Sequence, residues 1–289
     1  MSDENLSPAT ATSEDTKHNQ QRALLAFLLP MVVYMVIQSA EPTPPSAVVE
    51  SEAAEFDLDL ASDDPLLENS GTDKVWLGII TIPAEYYPVV YTIKVVATLA
   101  VVLAFLPVYL QWPFKISLLA VGVGLVGGGL WLFCSYLNPT GHLADWLGPE
   151  HWLYSWIAPG ERAAYNPLSA EALGPTTMGY LFLAVRFIGL ALLVPVIEEA
   201  FLRGFLMRFV MHDNWTEIPF GHVNRMAVLV GVGLPVLYHP ERLAALVWFS
   251  LVTWLMVRTK NYWDCVTAHA ITNLMLGIVV VTTGWWELW

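Results

Sequence analysis

The chain has 289 residues, of which 56% are hydrophobic and 13% charged, with a mean hydropathy of +0.53. That composition excludes an ordinary soluble domain and points to a membrane protein of several spans. The net charge of −13 is uneven: residues 1 to 75 carry fourteen acids against Lys17, Arg22 and Lys74, and the remainder carries twelve acids against ten bases. The acidity therefore belongs to a tail and a linker, a basic nucleic-acid footprint is absent, and two cysteines, Cys134 and Cys265, make no disulfide framework.

In chain order, residues 1 to 22 are polar, lack an apolar face and read as a disordered tail. A first, uncleaved span occupies 23 to 38. Residues 39 to 75 form an acidic linker punctuated by Pro42, Pro44, Pro45 and Pro65. Apolar runs at Tyr87 to Leu110, Ile116 to Leu137 and Met178 to Val194 each approach the ~20 residues that a bilayer core demands. Gly122, Gly124, Gly127, Gly128 and Gly129 in the second of these runs signal close helix packing rather than a phosphate loop. The stretch Asn138 to Thr177, with Trp146, Trp152, Trp156 and several prolines, suits the membrane interface.

A polar turn, Met211 to Arg225, leads into Met226 to Tyr238, which is too short to cross and carries Gly231, Gly233 and Pro235. It reads as a broken helix with its polar end at membrane depth in a protein-lined cavity. Leu243 to Val257 and Tyr262 to Thr283 complete an all-α polytopic bundle of about seven spans. With Arg22, Lys115, Arg208, Arg225, Arg258 and Lys260 on one side and Lys74, Arg162 and Arg242 opposite, the positive-inside rule predicts a cytoplasmic N-terminus.

The chemistry concentrates in V-P-V-I-E-E-A-F-L-R-G-F-L-M-R-F, Val194 to Phe209. A charge at membrane depth costs at least ~2.5 to 3.5 kcal/mol, so two adjacent carboxylates there need a compensating reason. Glu199 and Arg203, four residues apart, share a helix face and can neutralise each other; Glu198 faces elsewhere and remains available for chemistry. His239 ends the short helix, and His269 with Asn273 one turn later share a face of the last span. A carboxylate and a histidine can hold and deprotonate water, while N–H donors from a second histidine and an asparagine can stabilise a tetrahedral oxyanion. Lys94 and Arg186 are expected to snorkel toward headgroups, and Cys265, one turn before His269, is a packing residue with a minor claim as a thiol nucleophile.

Glu198-Glu199 with Arg203 as E-E-x-x-x-R, then His239, then His269 to Asn273 as H-x-x-x-N, resemble in order and spacing the CAAX protease and bacteriocin-processing family of intramembrane glutamate proteases. The resemblance covers about 110 residues from Met178 onward. It implies that Glu198 and His239 activate water, that His269 and Asn273 form the oxyanion hole, and that Glu199 and Arg203 shape the site. The patterns Y-Y-P-V-V-Y-T-I-K and E-R-A-A-Y-N-P and the Trp-rich end resemble a bacterial branch associated with exosortase sorting systems. One position departs from the pattern: Pro235 stands where the family often has Phe, with His222 as the fallback histidine.

The expected function is thus intramembrane endopeptidase action on a protein or peptide at the membrane, in a bacterial inner membrane. Residues 178 to 289 form the catalytic core, after a transmembrane and interfacial region at 76 to 177. No cofactor is implied, and no H-E-x-x-H pair offers a zinc site. The rival reading is a non-catalytic membrane protein, a proton-coupled transporter or sorting-system partner that uses its buried carboxylates as a relay.

Overall fold

A computed structural model describes residues 13–44, 71–137, 142–148, 150–157 and 163–289. The principal helices are α1 (Ser13–Gln38), α2 (Tyr87–Ala104), α3 (Leu118–Leu137), α4 (Thr177–Phe209), α5 (Arg225–Tyr238), α6 (Arg242–Thr259) and α7 (Tyr262–Thr283). All but α5 contain a segment long and apolar enough to cross a membrane, and α5 is a shorter seventh. The protein is an all-α integral membrane bundle.

The helix of α1 begins at Ser13, inside the stretch expected to be disordered; residues 1–12 of that tail and 45–70 of the acidic linker lie outside the described residues. Once the apolar run after Arg22 nucleates the helix, extension is inexpensive, and neither Gly nor Pro interrupts the sequence before Pro30. Pro30 removes the N–H that would have bonded the Ala26 carbonyl, and the Tyr109 hydroxyl, from the short helix Leu106–Tyr109, donates to that carbonyl instead. A hairpin, β1 (Lys74–Trp76) and β2 (Ile80–Ile82), with Val75 opposite Thr81, straddles the border between the linker and the region that begins at 76.

α3 packs along α6 and α7, and its glycines explain the closeness. A Cβ on Gly124 would stand 2.8 Å from the Ala268 carbonyl oxygen, one on Gly127 2.9 Å from Trp248, and one on Gly128 2.8 Å from the Met275 sulfur. Gly122 and Gly129 meet no such neighbour. Asp264 in the first turn of α7 accepts from the Ser117 N–H (2.8 Å) and hydroxyl (3.0 Å), fixing the start of α3 against it. The stretch between α3 and α4 includes two short helices, His142–Leu147 and Trp152–Ile157, with Trp146 and Trp152 exposed.

α5 is continuous rather than broken. Gly231 lets Met207 of α4 approach, and Pro235 is accommodated inside the helix, which ends where His239 turns extended (φ −87°, ψ 130°). Lys94 and Arg186 do not snorkel. Both are 2% exposed: Lys94 pairs with Glu41 at 2.7 Å between the rings of Tyr34 and Tyr91, and Arg186 donates to the carbonyls of Tyr165 (2.9 Å) and Trp289 (2.7 Å). Inward partners hold these cations where solvent would otherwise have drawn them out.

Candidate active site

The site is built on α4, whose winding changes twice. Ile188–Leu193 and Ala200–Leu206 are wide π turns, and between them Val194–Glu199 is ordinary α-helix with Pro195 near its start. Such turns displace backbone carbonyls from their usual partners and recur at functional sites. The Asn273 side-chain amide donates to one of them, the Leu190 carbonyl, at 2.8 Å. The Tyr262 hydroxyl donates to the Val196 carbonyl, in the α-helical segment between the two wide turns, at 2.9 Å.

Glu199 is fully buried and Arg203 is 1% exposed. Nη1 of Arg203 donates to Glu199 Oε2 at 2.7 Å, which supplies the compensation that the buried carboxylate requires. The other oxygen, Oε1, lies 3.1 Å from His269 Nδ1. A carboxylate paired with arginine accepts, so Nδ1 carries a proton and donates it to Glu199. The opposite nitrogen, Nε2, then faces Glu198 Oε2 at 3.6 Å. Trp248 of α6 packs on the imidazole, with ring centroids 4.4 Å apart, and is held in turn through Thr272: indole N–H to Thr272 Oγ1 at 3.0 Å, Thr272 hydroxyl to the Gly124 carbonyl at 2.8 Å. The ring of His269 is therefore fixed on both its edge and its face.

Glu198 Oε1 accepts a short hydrogen bond from the Tyr238 hydroxyl. The neighbouring His239 places Nδ1 2.9 Å from the Pro235 carbonyl. A carbonyl can only accept, so Nδ1–H is the donor, and in a neutral ring Nε2 would be the acceptor nitrogen. The contact is to a backbone carbonyl, which any residue at 235 would supply, so the departure noted in the sequence leaves the placement of His239 intact. Phe249 and Trp131 flank His239 at 5.2 and 5.6 Å between centroids.

Glu198, His239, His269 and Asn273 all line one cavity of about 120 Å³, together with Trp131, Trp248 and Phe249. That volume holds a few waters. A larger chamber of about 450 Å³ also reaches Glu198 and His239, and its walls include Tyr34, Glu41, Lys94 and Arg186. Glu199 and Arg203 stand behind the cavity rather than on its wall. Cys265 is buried with its thiol toward the Asn261 carbonyl (3.6 Å), and His222 is exposed in the loop before α5, so neither borders the cavity.

Reading the sequence missed Tyr238, Trp248 and Thr272. Tyr238 stands next to His239 at the end of an apolar run, and that adjacency was its sole signal. Trp248 and Thr272 give none, because an apolar ring and a lone hydroxyl in a span look like packing.

Residues 180–275 match the family model of type II CAAX prenyl endopeptidase Rce1-like. The matched third of the chain runs from the first turns of α4 into α7 and contains Glu198, Glu199, Arg203, His239, His269 and Asn273. No curated protein and no solved structure matches the chain. The matched residues supply Glu198, His239, His269 and Asn273 to the cavity and are similar to a family of type II CAAX prenyl endopeptidases, while Trp131, Leu276, Leu288 and Trp289 complete the lining from outside the match.

Proposed function

We propose that the protein is an intramembrane glutamate-type endopeptidase that hydrolyses a peptide bond in a membrane-associated protein or peptide. The observation that carries this reading is the convergence of Glu198, His239, His269 and Asn273 on one small cavity enclosed by apolar helices. In the proposed reaction Glu198 and the acceptor nitrogen of His239 hold a water, and Glu198 takes its proton as the oxygen attacks the scissile carbonyl. The proposed step requires a proton on each ring nitrogen of His269, so that Nε2–H donates to the resulting oxyanion alongside an N–H of Asn273. Glu198 then passes its proton to the departing amine, so water and peptide become a carboxyl and an amino terminus. Arg203 and Glu199 act through His269: Arg203 holds Glu199, and Glu199 accepts from Nδ1–H and orients the ring. Scarcity of water strengthens each of these interactions.

The substrate class implied by the matched family is a protein processed near its C-terminus; whether the physiological substrate is prenylated is a matter for the assay. The finer proposal, an exosortase-associated branch with a sorting-system partner, rests on sequence patterns of which Y-Y-P-V-V-Y-T-I-K, E-R-A-A-Y-N-P and the terminal tryptophans lie outside residues 180–275. Residence in a bacterial inner membrane with a cytoplasmic N-terminus is likewise proposed, from the distribution of Lys and Arg.

The test is reconstitution of the full chain in liposomes with a panel of membrane-anchored reporter peptides read by mass spectrometry. Cleavage that survives chelation and disappears in Glu198→Gln supports the proposal. Proton-coupled flux lost in Glu198→Gln without any cleavage supports a transporter, and activity abolished by chelation and restored by zinc supports a metallopeptidase.

A further inference from the structure

The hairpin β1–β2 exposes an unusual amount of apolar surface for so small an element. Val75, Leu77, Ile79 and Ile80 are 60, 71, 83 and 50% exposed. Its turn is closed by the Ile79 N–H on the Trp76 carbonyl at 3.1 Å, and both central residues are left-handed, Leu77 at φ +54° and Gly78 at φ +70°. Asn or Gly ordinarily fills the first of those positions. A leucine there costs about 1 to 2 kcal/mol of backbone energy, and a two-stranded hairpin alone in water is marginal at best. A side chain kept at that cost, pointing away from the protein, calls for an apolar surrounding.

The hairpin cannot travel far to find one. The Trp76 indole donates to the Ser39 hydroxyl at 3.1 Å, one residue past the end of α1. Thr43 pairs with Thr72, and Asp73 accepts from the Ala84 N–H at 3.0 Å, in the turn that opens α2. Both flanking spans carry exposed apolar residues: Val32 and Val36 on α1, and Val89, Ile93 and Val96 on α2. Trp76, one residue before the tip, is itself tied to Ser39 at the end of α1, so the strand's reach of about 10 Å is not added to the depth of the interfacial layer, about 5 to 8 Å on each side of the hydrocarbon core. The tip therefore stays within reach of the layer in which the two spans end.

We propose that Leu77 and Ile79 form a bilayer-dipping anchor, the lipid of the spanned membrane being their partner, which holds the connection between α1 and α2 in the interfacial layer. Lys74 at the base of β1 reaches the headgroups. Through the Thr43–Thr72 pairing the anchor also sets the position of Glu41, whose contact with Lys94 forms part of the wall of the larger chamber beside Glu198.

The test uses the full chain in phosphatidylcholine vesicles. Cys134 and Cys265 are buried, so Leu77→Cys, or Ile79→Cys as a second site, supplies the accessible thiol for an environment-sensitive fluorophore, with Glu217→Cys on an exposed loop as the aqueous control. The expected result is blue-shifted emission, several-fold weaker quenching by iodide than at the control, and stronger quenching by doxyl lipid labelled near the headgroup than near the chain terminus. Adding Leu77→Asn to Ile79→Cys is expected to shift that label toward water. A label quenched by iodide and not by doxyl lipid overturns the proposal, and so does one shielded from both, which would place another stretch of protein over the tip.

Discussion

Two buried arginines on one helix, five residues apart, do different work. Arg208 spends its guanidinium on backbone carbonyls: Nε to Ile218 at 2.8 Å, Nη1 to Gly204 at 2.9 Å and Nη2 to Thr216 at 3.0 Å. It staples the loop after α4 to the helix, and nothing it touches leads to the site cavity. Arg203 instead faces a carboxylate, with a long contact to the Phe249 carbonyl (3.5 Å) and an Nε that meets no hydrogen-bond partner among the described residues. Its carboxylate is shared with a histidine whose ring borders the cavity. The difference teaches that burial of a charge does not by itself mark chemistry; what marks it is a chain of partners that ends at a place water can occupy.

Four measurements can break or sharpen that contrast. The largest effect is expected at the end of the chain: Glu198→Gln should lower cleavage of a reporter peptide by about 10²- to 10⁴-fold, the range for loss of a general base. Its melting temperature in detergent should stay near that of the parent, and an active Gln variant would sink the mechanism. Next, Arg203→Met leaves Glu199 buried without its cation and should cost about 3 to 5 kcal/mol of stability, read by thermal unfolding, with activity lost as well. Arg208→Met strands three carbonyls and should cost about 1 to 3 kcal/mol, while the protein that remains folded keeps its activity per molecule. If Arg203→Met and Arg208→Met lost activity alike, the distinction drawn between them would fail. The smallest effect is assigned to Tyr238→Phe, which removes one donor from Glu198; a loss of about 1.4 kcal/mol corresponds to a tenfold fall in kcat, with KM little changed.

Much of this was legible in the sequence because the bilayer simplifies it. Apolar length alone located the long helices, and the cost of a buried charge singled out Glu198, Glu199 and Arg203. The i, i+4 rule anticipated the Glu199–Arg203 pair. What stayed hidden depended on contacts distant in the chain. Lys94 looked ready to snorkel because Glu41 lies beyond a span and within an acidic linker, where no local pattern reveals a partner. His269 was read as an oxyanion donor beside Asn273; its contact with both glutamates could not be foreseen from α7 alone. The hairpin V-W-L-G-I-I-T-I carries no polar turn pair, so nothing in it marked two strands at the border of the linker and the region that begins at 76.

The wide turn at Ile188–Leu193 sets the phase of everything that follows it in α4. Each residue of an α-helix advances the azimuth by about 100°, and a wide turn uses roughly one residue more to come full circle, so rewinding it as ordinary helix at the same length would swing the remainder of the helix by about that amount. Both carboxylates would then leave the side of α7, although every side chain of the motif was still present. Evolution can exchange the apolar residues of that turn for one another, but an exchange that tightened its winding at the same length would turn the reactive groups away from one another.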